Sequence, residues 1–252
     1  MDLFMHWKNK KVNAGGLTTF NSFAVVSENK LTKLNSIKHD YRNTLLLGCT
    51  ASTAIGSVEK LSNLKKTDII AVSGCGSIGL SIIKYAKIIG VKKIIAIDIN
   101  KNKLNFSKKF GANYILNLKK NNLSNFFNKK FPNGVNHFFE CTGKINVISD
   151  AFECLNKSNG KEILIGVPKF KQKAKFYTLD LHLGKQLIGC KGGNFLPDKD
   201  LNRYLSIVNN KKFLANKMIT NEIVLEDLND VFSDMRKNSL KGKCIINFKK
   251  DC

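Results

Sequence analysis

The run from Ile69 to Asp98, IIAVSGCGSIGLSIIKYAKIIGVKKIIAID, decides the fold. Its first five residues, IIAVS at 69–73, read as a buried strand. SIGLSIIKYAKIIG at 77–90 has helical spacing and stops on a glycine. KKIIAIDI then reads as a second strand. Between strand and helix lies Gly74-Cys75-Gly76-Ser77-Ile78-Gly79, a G-x-G-x-x-G. Such a pattern alone is weak. Placed after a strand and at the start of a helix, it has the mechanical context that dinucleotide binding requires. Gly74 is suited to the tight turn, Gly76 to close approach of a pyrophosphate, and Gly79 to close helix–strand packing. The helix N-terminus, from Ser77 and Ile78 on, offers unpaired N–H groups and a positive dipole end. Asp98 ends the second strand, 19 residues beyond Gly79. A carboxylate there accepts from both ribose hydroxyls and repels a 2′-phosphate, so NAD is expected rather than NADP.

Outward from this core the same alternation continues. NKNKLNFSKKFGA (100–112) reads as a charged helix and NYILN (113–117) as a strand. NLSNFFNKKF and NVISDAFECLN read as helices; GVNHFFECTG, GKEILIGV and KQLIGCKGG read as strands. Apolar strands separated by helices of this length indicate βαβ units in a parallel sheet covered on both faces. The tail holds two predicted helices, DKDLNRYLSIVNN and LEDLNDVFSDMRKN, and a closing strand, GKCIINF. Residues 1–45 read as short and β-like, with turn glycines in NAGGLTTF and weak alternation in FNSFAVVSENKLTKL.

Charge and composition exclude several classes. The formal net charge is +23, yet of 42 basic residues only three are arginine: Arg42, Arg203 and Arg236. The lysines are scattered, and no zinc finger, RNP-like aromatic motif or arginine-rich arm accompanies them. A solvated lysine surface is expected, with no specific nucleic-acid site. No apolar run reaches the roughly 18 residues of a membrane span, and the N-terminus lacks the apolar core of a signal peptide. A cytoplasmic protein without membrane contact is therefore expected. The seven cysteines are odd in number and form no C-x-x-C, so free thiols are expected. His6, His39, His137 and His182 are scattered and read as surface or capping residues.

With these residues in view, LLGCTASTAIGSVEKLSNLKKTDIIAVSGCGSIGLSIIKYAKIIGVKKIIAIDINKNKLNFSKKFGANYILN resembles the core of the zinc-dependent medium-chain alcohol dehydrogenases. It is closest to their glutathione-dependent formaldehyde dehydrogenase type. FFECTG and EILIGV resemble later strands of that family's cofactor domain, and TTFNSFAVVSENKLTKL its last catalytic-domain strands.

The resemblance implies a doubly wound Rossmann sheet flanked by a remnant of a GroES-like β domain. It divides the chain into 1–45 (catalytic-domain remnant), 46–193 (NAD-binding domain) and 194–252 (return to the catalytic domain). It implies that Cys49 is a zinc ligand and that Thr53 packs on the nicotinamide ring. It implies that Asp98 and Lys103 border the adenosine, and that Thr142 begins a loop against the cofactor. Ile165 and Val167 are implied to meet the carboxamide through their backbone, and Lys243 the pyrophosphate.

The family's other zinc ligands, a cysteine and a histidine, have no counterpart here, so zinc is doubtful for this chain. The expectation is an NAD(H)-binding portion of an oxidoreductase acting on an alcohol or aldehyde, incomplete for catalysis by itself. A homodimer through KQLIGCKGG as an edge strand is also expected. A non-catalytic NAD-binding module and a zinc-free quinone-reductase-like enzyme are the alternatives.

Overall fold

Strands that are apolar on both sides need cover on both faces, and the chain supplies it with helices between successive strands. A computed structural model describes residues 4–8, 10–13, 19–34 and 40–248. Six strands form one parallel sheet: β3 (Ile69–Ser73), β4 (Lys93–Asp98), β5 (Tyr114–Asn117), β6 (His137–Glu140), β7 (Lys161–Leu164) and β8 (Gln186–Gly189). Their order is β5-β4-β3-β6-β7-β8. The chain therefore runs outward from β3 in one direction, then returns to its other side at β6. That reversal opens a crevice at the C-terminal ends of β3 and β6, the usual ligand position in such sheets.

The two faces follow the two-residue strand period. Ile70, Val72, Ile94 and Ala96 point into one apolar cluster, with Leu80, Ile82, Ile83 and Ala86 of α3 (Ser77–Ile89). Ala71, Ile95, Ile97 and Phe138 point into the other. That face is covered by Leu123 and Phe127 of α5 (Leu123–Lys130) and by Val147, Ala151 and Phe152 of α6 (Ile145–Glu153). α3 ends at Gly90 in the left-handed region (φ +104°), where its N–H returns to the Ala86 carbonyl. α4 (Lys101–Lys108) begins on the Asn100 side chain, which accepts from the Asn102 N–H at 2.9 Å.

Upstream of the sheet, α1 (Tyr41–Leu45) leads through a 3-10 turn into α2 (Thr50–Gly56) and a π-helical stretch, Ser57–Ser62. Every residue of α2 is buried. Its small side chains allow that: a Cβ on Gly56 would strike the Gly193 carbonyl. α8 (Pro197–Asn209) places Tyr204, Leu205 and Val208 in the same cluster as α3. It is clamped there by Arg203 on Glu59 and by Lys60 on Asp200.

The remaining elements are peripheral. β1 (Phe4–Trp7) and β2 (Lys10–Asn13) form an antiparallel pair. α7 (Leu179–His182) and α9 (Ala215–Met218) are single turns. β9 (Ile219–Ile223) and β10 (Lys243–Ile246) pair in parallel, linked through α10 (Leu228–Arg236).

Two sequence expectations need correction. Residues 20–34 contain no strand, only a 3-10 turn at Glu28–Lys30, and Phe23 is 93% exposed. A strand needs a neighbouring edge for its N–H and C=O groups, and no described strand lies beside this segment. His137 is not a surface residue: it is buried, with Nε2 3.0 Å from Asp68 Oδ2. His182 is exposed; His39, the side chain of His6, and Ala14–Thr18 of the glycine turn lie outside the described residues.

Candidate functional site

The loop after β3 turns at Gly74 (φ +88°), whose N–H donates to the Ile97 carbonyl at 2.8 Å. A Cβ on Gly79 would collide with the Gly74 carbonyl, so the first turn of α3 lies directly on the loop. This close packing leaves the early N–H groups of α3, unpaired within the helix, facing the crevice. Asp98 closes the next strand. Its Oδ2 accepts from the Cys75 N–H and its Oδ1 from the Asn100 N–H, both at 2.8 Å. Each carboxylate oxygen keeps a further lone pair for a ligand hydroxyl.

Glu140, at the end of β6, is fully buried and organises the opposite wall. It accepts from Ser73 Oγ at 3.1 Å, the Thr142 N–H at 2.7 Å and the Gly143 N–H at 2.9 Å, as well as from the Thr142 hydroxyl. One carboxylate thus ties the ends of β3 and β6 together and sets the 141–144 loop. The quoted FFECTG contains it, and a carboxylate in an otherwise apolar strand was the available signal.

These parts surround a cleft of about 740 Å³. Gly74, Gly76, Ser77, Ile78 and Gly79 line it, together with Asp98, Lys103 and Thr142. Sequence reasoning missed Lys144, Asn146, Arg236 and Asn238, which also line it. Asn238 follows α10. Its carbonyl accepts from Asn100 Nδ2 at 2.7 Å, and its side chain accepts from Lys103 Nζ. Three cations and one carboxylate in the lining favour an anionic, hydroxyl-bearing ligand. The two thiols at the loop are held neutral. Burial pushes Cys75 up, with the Asp98 charge acting in the same direction, and burial with the Glu140 charge pushes Cys141 up. The site is thus arranged to bind and orient rather than to attack with a thiolate.

The other candidates are not among the residues that line this cleft. Thr53 is buried in α2, where its carbonyl accepts from Ser57 Oγ at 2.7 Å. Ile165 and Gly166 direct their N–H groups to the Glu140 carbonyl at 2.8 and 2.9 Å, and the Val167 side chain is exposed. Lys243 begins β10 opposite Ile219. Cys49 precedes α2 and is exposed. Among the described residues no group of three His, Cys, Asp or Glu side chains could hold a metal ion. Zinc therefore does not fit the described residues.

The fold and cleft define an α/β protein of the Rossmann class. A family model described as zinc-binding dehydrogenase matches residues 77–210, and the chain belongs to that family. It is 30% identical over 237 residues to alcohol dehydrogenase-like 7 of Arabidopsis thaliana, covering 91% of this chain and 58% of that protein. It is 31% identical over 231 residues to the probable S-(hydroxymethyl)glutathione dehydrogenase 1 of Schizosaccharomyces pombe, covering 91% and 60%. Its fold is similar to that of benzyl alcohol dehydrogenase from Acinetobacter calcoaceticus, with a TM-score of 0.84 at 26% identity, covering 92% and 63%. The chain thus spans about 60% of the length of these relatives. No helix among the described residues is long and apolar enough to cross a membrane.

Proposed function

We propose that residues 46–193, completed by groups from 194–252, form the NAD(H) site of an oxidoreductase that interconverts alcohols and aldehydes. The observation that carries this is the cleft itself, where the glycine loop, the N-terminus of α3 and Asp98 converge. A nicotinamide dinucleotide, when bound, supplies the hydride acceptor or donor. The chain's own groups bind and orient it. Gly74 and Gly76 let the backbone approach the pyrophosphate, and Ser77, Ile78 and Gly79 present N–H groups to it. Asp98 accepts from the ribose hydroxyls and disfavours a 2′-phosphate. Lys103, held by Asn238, borders the adenosine. Thr142, fixed by Glu140, walls the cofactor on the β6 side.

The nicotinamide half is proposed to lie toward Thr53, with backbone groups of Ile165 and Val167 on the carboxamide. Cys49 is proposed as a ligand contributed to the longer family's metal site. A cytoplasmic protein that pairs with a second copy through the outer edge of β8 completes this reading; the exposed edge of a parallel sheet favours such pairing.

Titrating the full chain with NADH by calorimetry tests the proposal. Saturable binding, with NADPH bound at least about tenfold more weakly, is expected, since one unmet charge repulsion is worth about 1.4 kcal/mol or more. Absence of NADH binding at millimolar concentrations would overturn it.

A further inference from the structure

Glu140 on β6 and Glu162 on β7 are both fully buried in the parallel sheet. Glu162 stands opposite Phe138, and Glu140 lies two residues further along β6. Both therefore belong to the sheet face that packs against α5 and α6. A strand spacing of about 4.8 Å and a rise of about 3.3 Å per residue put their Cα atoms roughly 8 Å apart. Their polar surroundings are unequal. Glu140 accepts from Ser73 Oγ, from the N–H and hydroxyl of Thr142, and from the Gly143 N–H. Glu162 accepts no hydrogen bond at either oxygen.

Among the described residues no cation pairs with Glu162. Lys185, just before β8, is buried but is held by Asp180 at 2.7 Å and by the Phe152 carbonyl at 3.1 Å. At the end of α6, Cys154 has Asp150, Glu153, Lys185 and Glu162 around it, and burial pushes its thiol up. Glu162 itself is protonated at neutral pH: burial, with the Glu140 charge acting in the same direction, raises it to about 9. Losing that proton puts a second charge beside Glu140 with no donor to receive it. Glu140 is the anchor of the cleft wall. Its side chain holds the 141–144 loop, and its carbonyl accepts from the Ile165 and Gly166 N–H groups at 2.8 and 2.9 Å. A Cβ on Gly166 would lie 2.1 Å from the Gly143 nitrogen, so the two loops pack directly on each other. Thr142, in the first loop, lines the cleft.

We propose that Glu162 is a proton-operated control on the cleft: neutral, it leaves Glu140 to fix the Thr142 wall, and ionised, it weakens that wall and with it dinucleotide binding. The inference rests on the reading of the cleft as a dinucleotide site. Repulsion between the new charge and the phosphates of the ligand acts in the same direction. By linkage, a ligand that binds the protonated form better must raise proton affinity, so binding at alkaline pH takes up protons. The simpler role for Glu162 is a cost to stability alone. That role is indifferent to whether the cleft is filled.

The test uses the full chain and NADH, with wild type, E162Q and E162L titrated by calorimetry in steps from pH 7 to pH 9.5. Melting curves at each pH establish that folded protein is being measured. E162Q keeps the shape of the side chain and E162L its apolar surroundings, so the two variants fail to fold for different reasons if either does. Relative to the variants, wild type should lose about threefold to tenfold in NADH affinity across this range, a tenfold loss being one unit of displaced proton equilibrium. Repeating the titration at pH 9 in buffers of different ionisation heat should show proton uptake by wild type in excess of either variant. A purely structural Glu162 moves neither readout. The proposal is overturned if the variants follow the wild-type pH profile, or if wild type shows no excess uptake. Failure of wild type to bind NADH at pH 7 would be a distinct result, overturning the dinucleotide reading and this proposal together.

Discussion

Glu162 allows the most quantitative prediction. It lies in β7 between Phe138 of β6 and Leu187 of β8, and is fully buried. Neither carboxyl oxygen has a hydrogen-bond partner. Burial raises its pKa from 4.5 to about 9, and the nearby charge of Glu140 adds to the shift. At pH 7 the folded protein therefore holds this proton while the unfolded chain releases it. Since the folded pKa lies above the unfolded one, the stabilising contribution is whole below pH 4.5 and is lost progressively as pH rises toward 9. At 1.36 kcal/mol per pH unit, the 2.5 units between 4.5 and 7 disfavour the folded state by about 3 kcal/mol. E162Q keeps the shape and removes the ionisation. Its stability gain over wild type should be near zero at pH 4.5, about 3 kcal/mol at pH 7, and should grow by about 1.4 kcal/mol per unit between. Urea unfolding of both proteins at pH 5, 6, 7 and 8 measures this directly. A constant difference across that range would refute the reasoning, because it would mean that Glu162 titrates alike in the folded and unfolded chains.

Three further outcomes follow from the same geometry. Gly79→Ala forces its new methyl group against the Gly74 carbonyl, so it should destabilise the fold by about 1–3 kcal/mol and weaken NADH binding; melting and calorimetry read the two effects. Asp98→Ala removes the acceptor for the Cys75 and Asn100 N–H groups, costing about 1–3 kcal/mol in urea unfolding. It should also narrow the preference for NADH over NADPH, and a preference that is undiminished would remove Asp98 from the ribose site. Burial depresses the pKa of His137, with Lys161 acting in the same sense and Asp68 opposing. Its folded pKa lies below the unfolded 6.5, so its contribution is present above 6.5 and is lost as pH falls below it. H137Q should flatten that acid limb, and an unaltered loss of stability between pH 7 and 5 would count against the assignment.

The parts legible in the sequence are those whose partners lie near them in the chain. IIAVS, the glycine loop, α3 and Asp98 form one contiguous βαβ unit of 30 residues (69–98), and the physical demands of each position can be read in order. Alternating apolar strands and helices also determined that the sheet is parallel and covered on both faces. The buried helix α2 was not legible: its threonines, serine and glycine make no amphipathic stripe, and they are buried because Gly193 approaches from 137 residues downstream of Gly56. Strand β9 escaped notice because ITNEI is mostly exposed. In the opposite direction, the apolar texture of 20–34 suggested a strand, but among the described residues no edge is there to receive one.

The site divides in the same way. Local sequence determined the glycine loop and the acid at the end of β4, because backbone geometry and strand termini are short-range properties. Only the tertiary structure decided that Glu140 ties two strand ends together, and that Asn238 holds Lys103 across 135 residues of chain. It likewise decided that Arg236, not distinguished by any local pattern, faces the cleft. Burial and encounter between distant segments assign those roles, and neither has a fixed spacing in the chain.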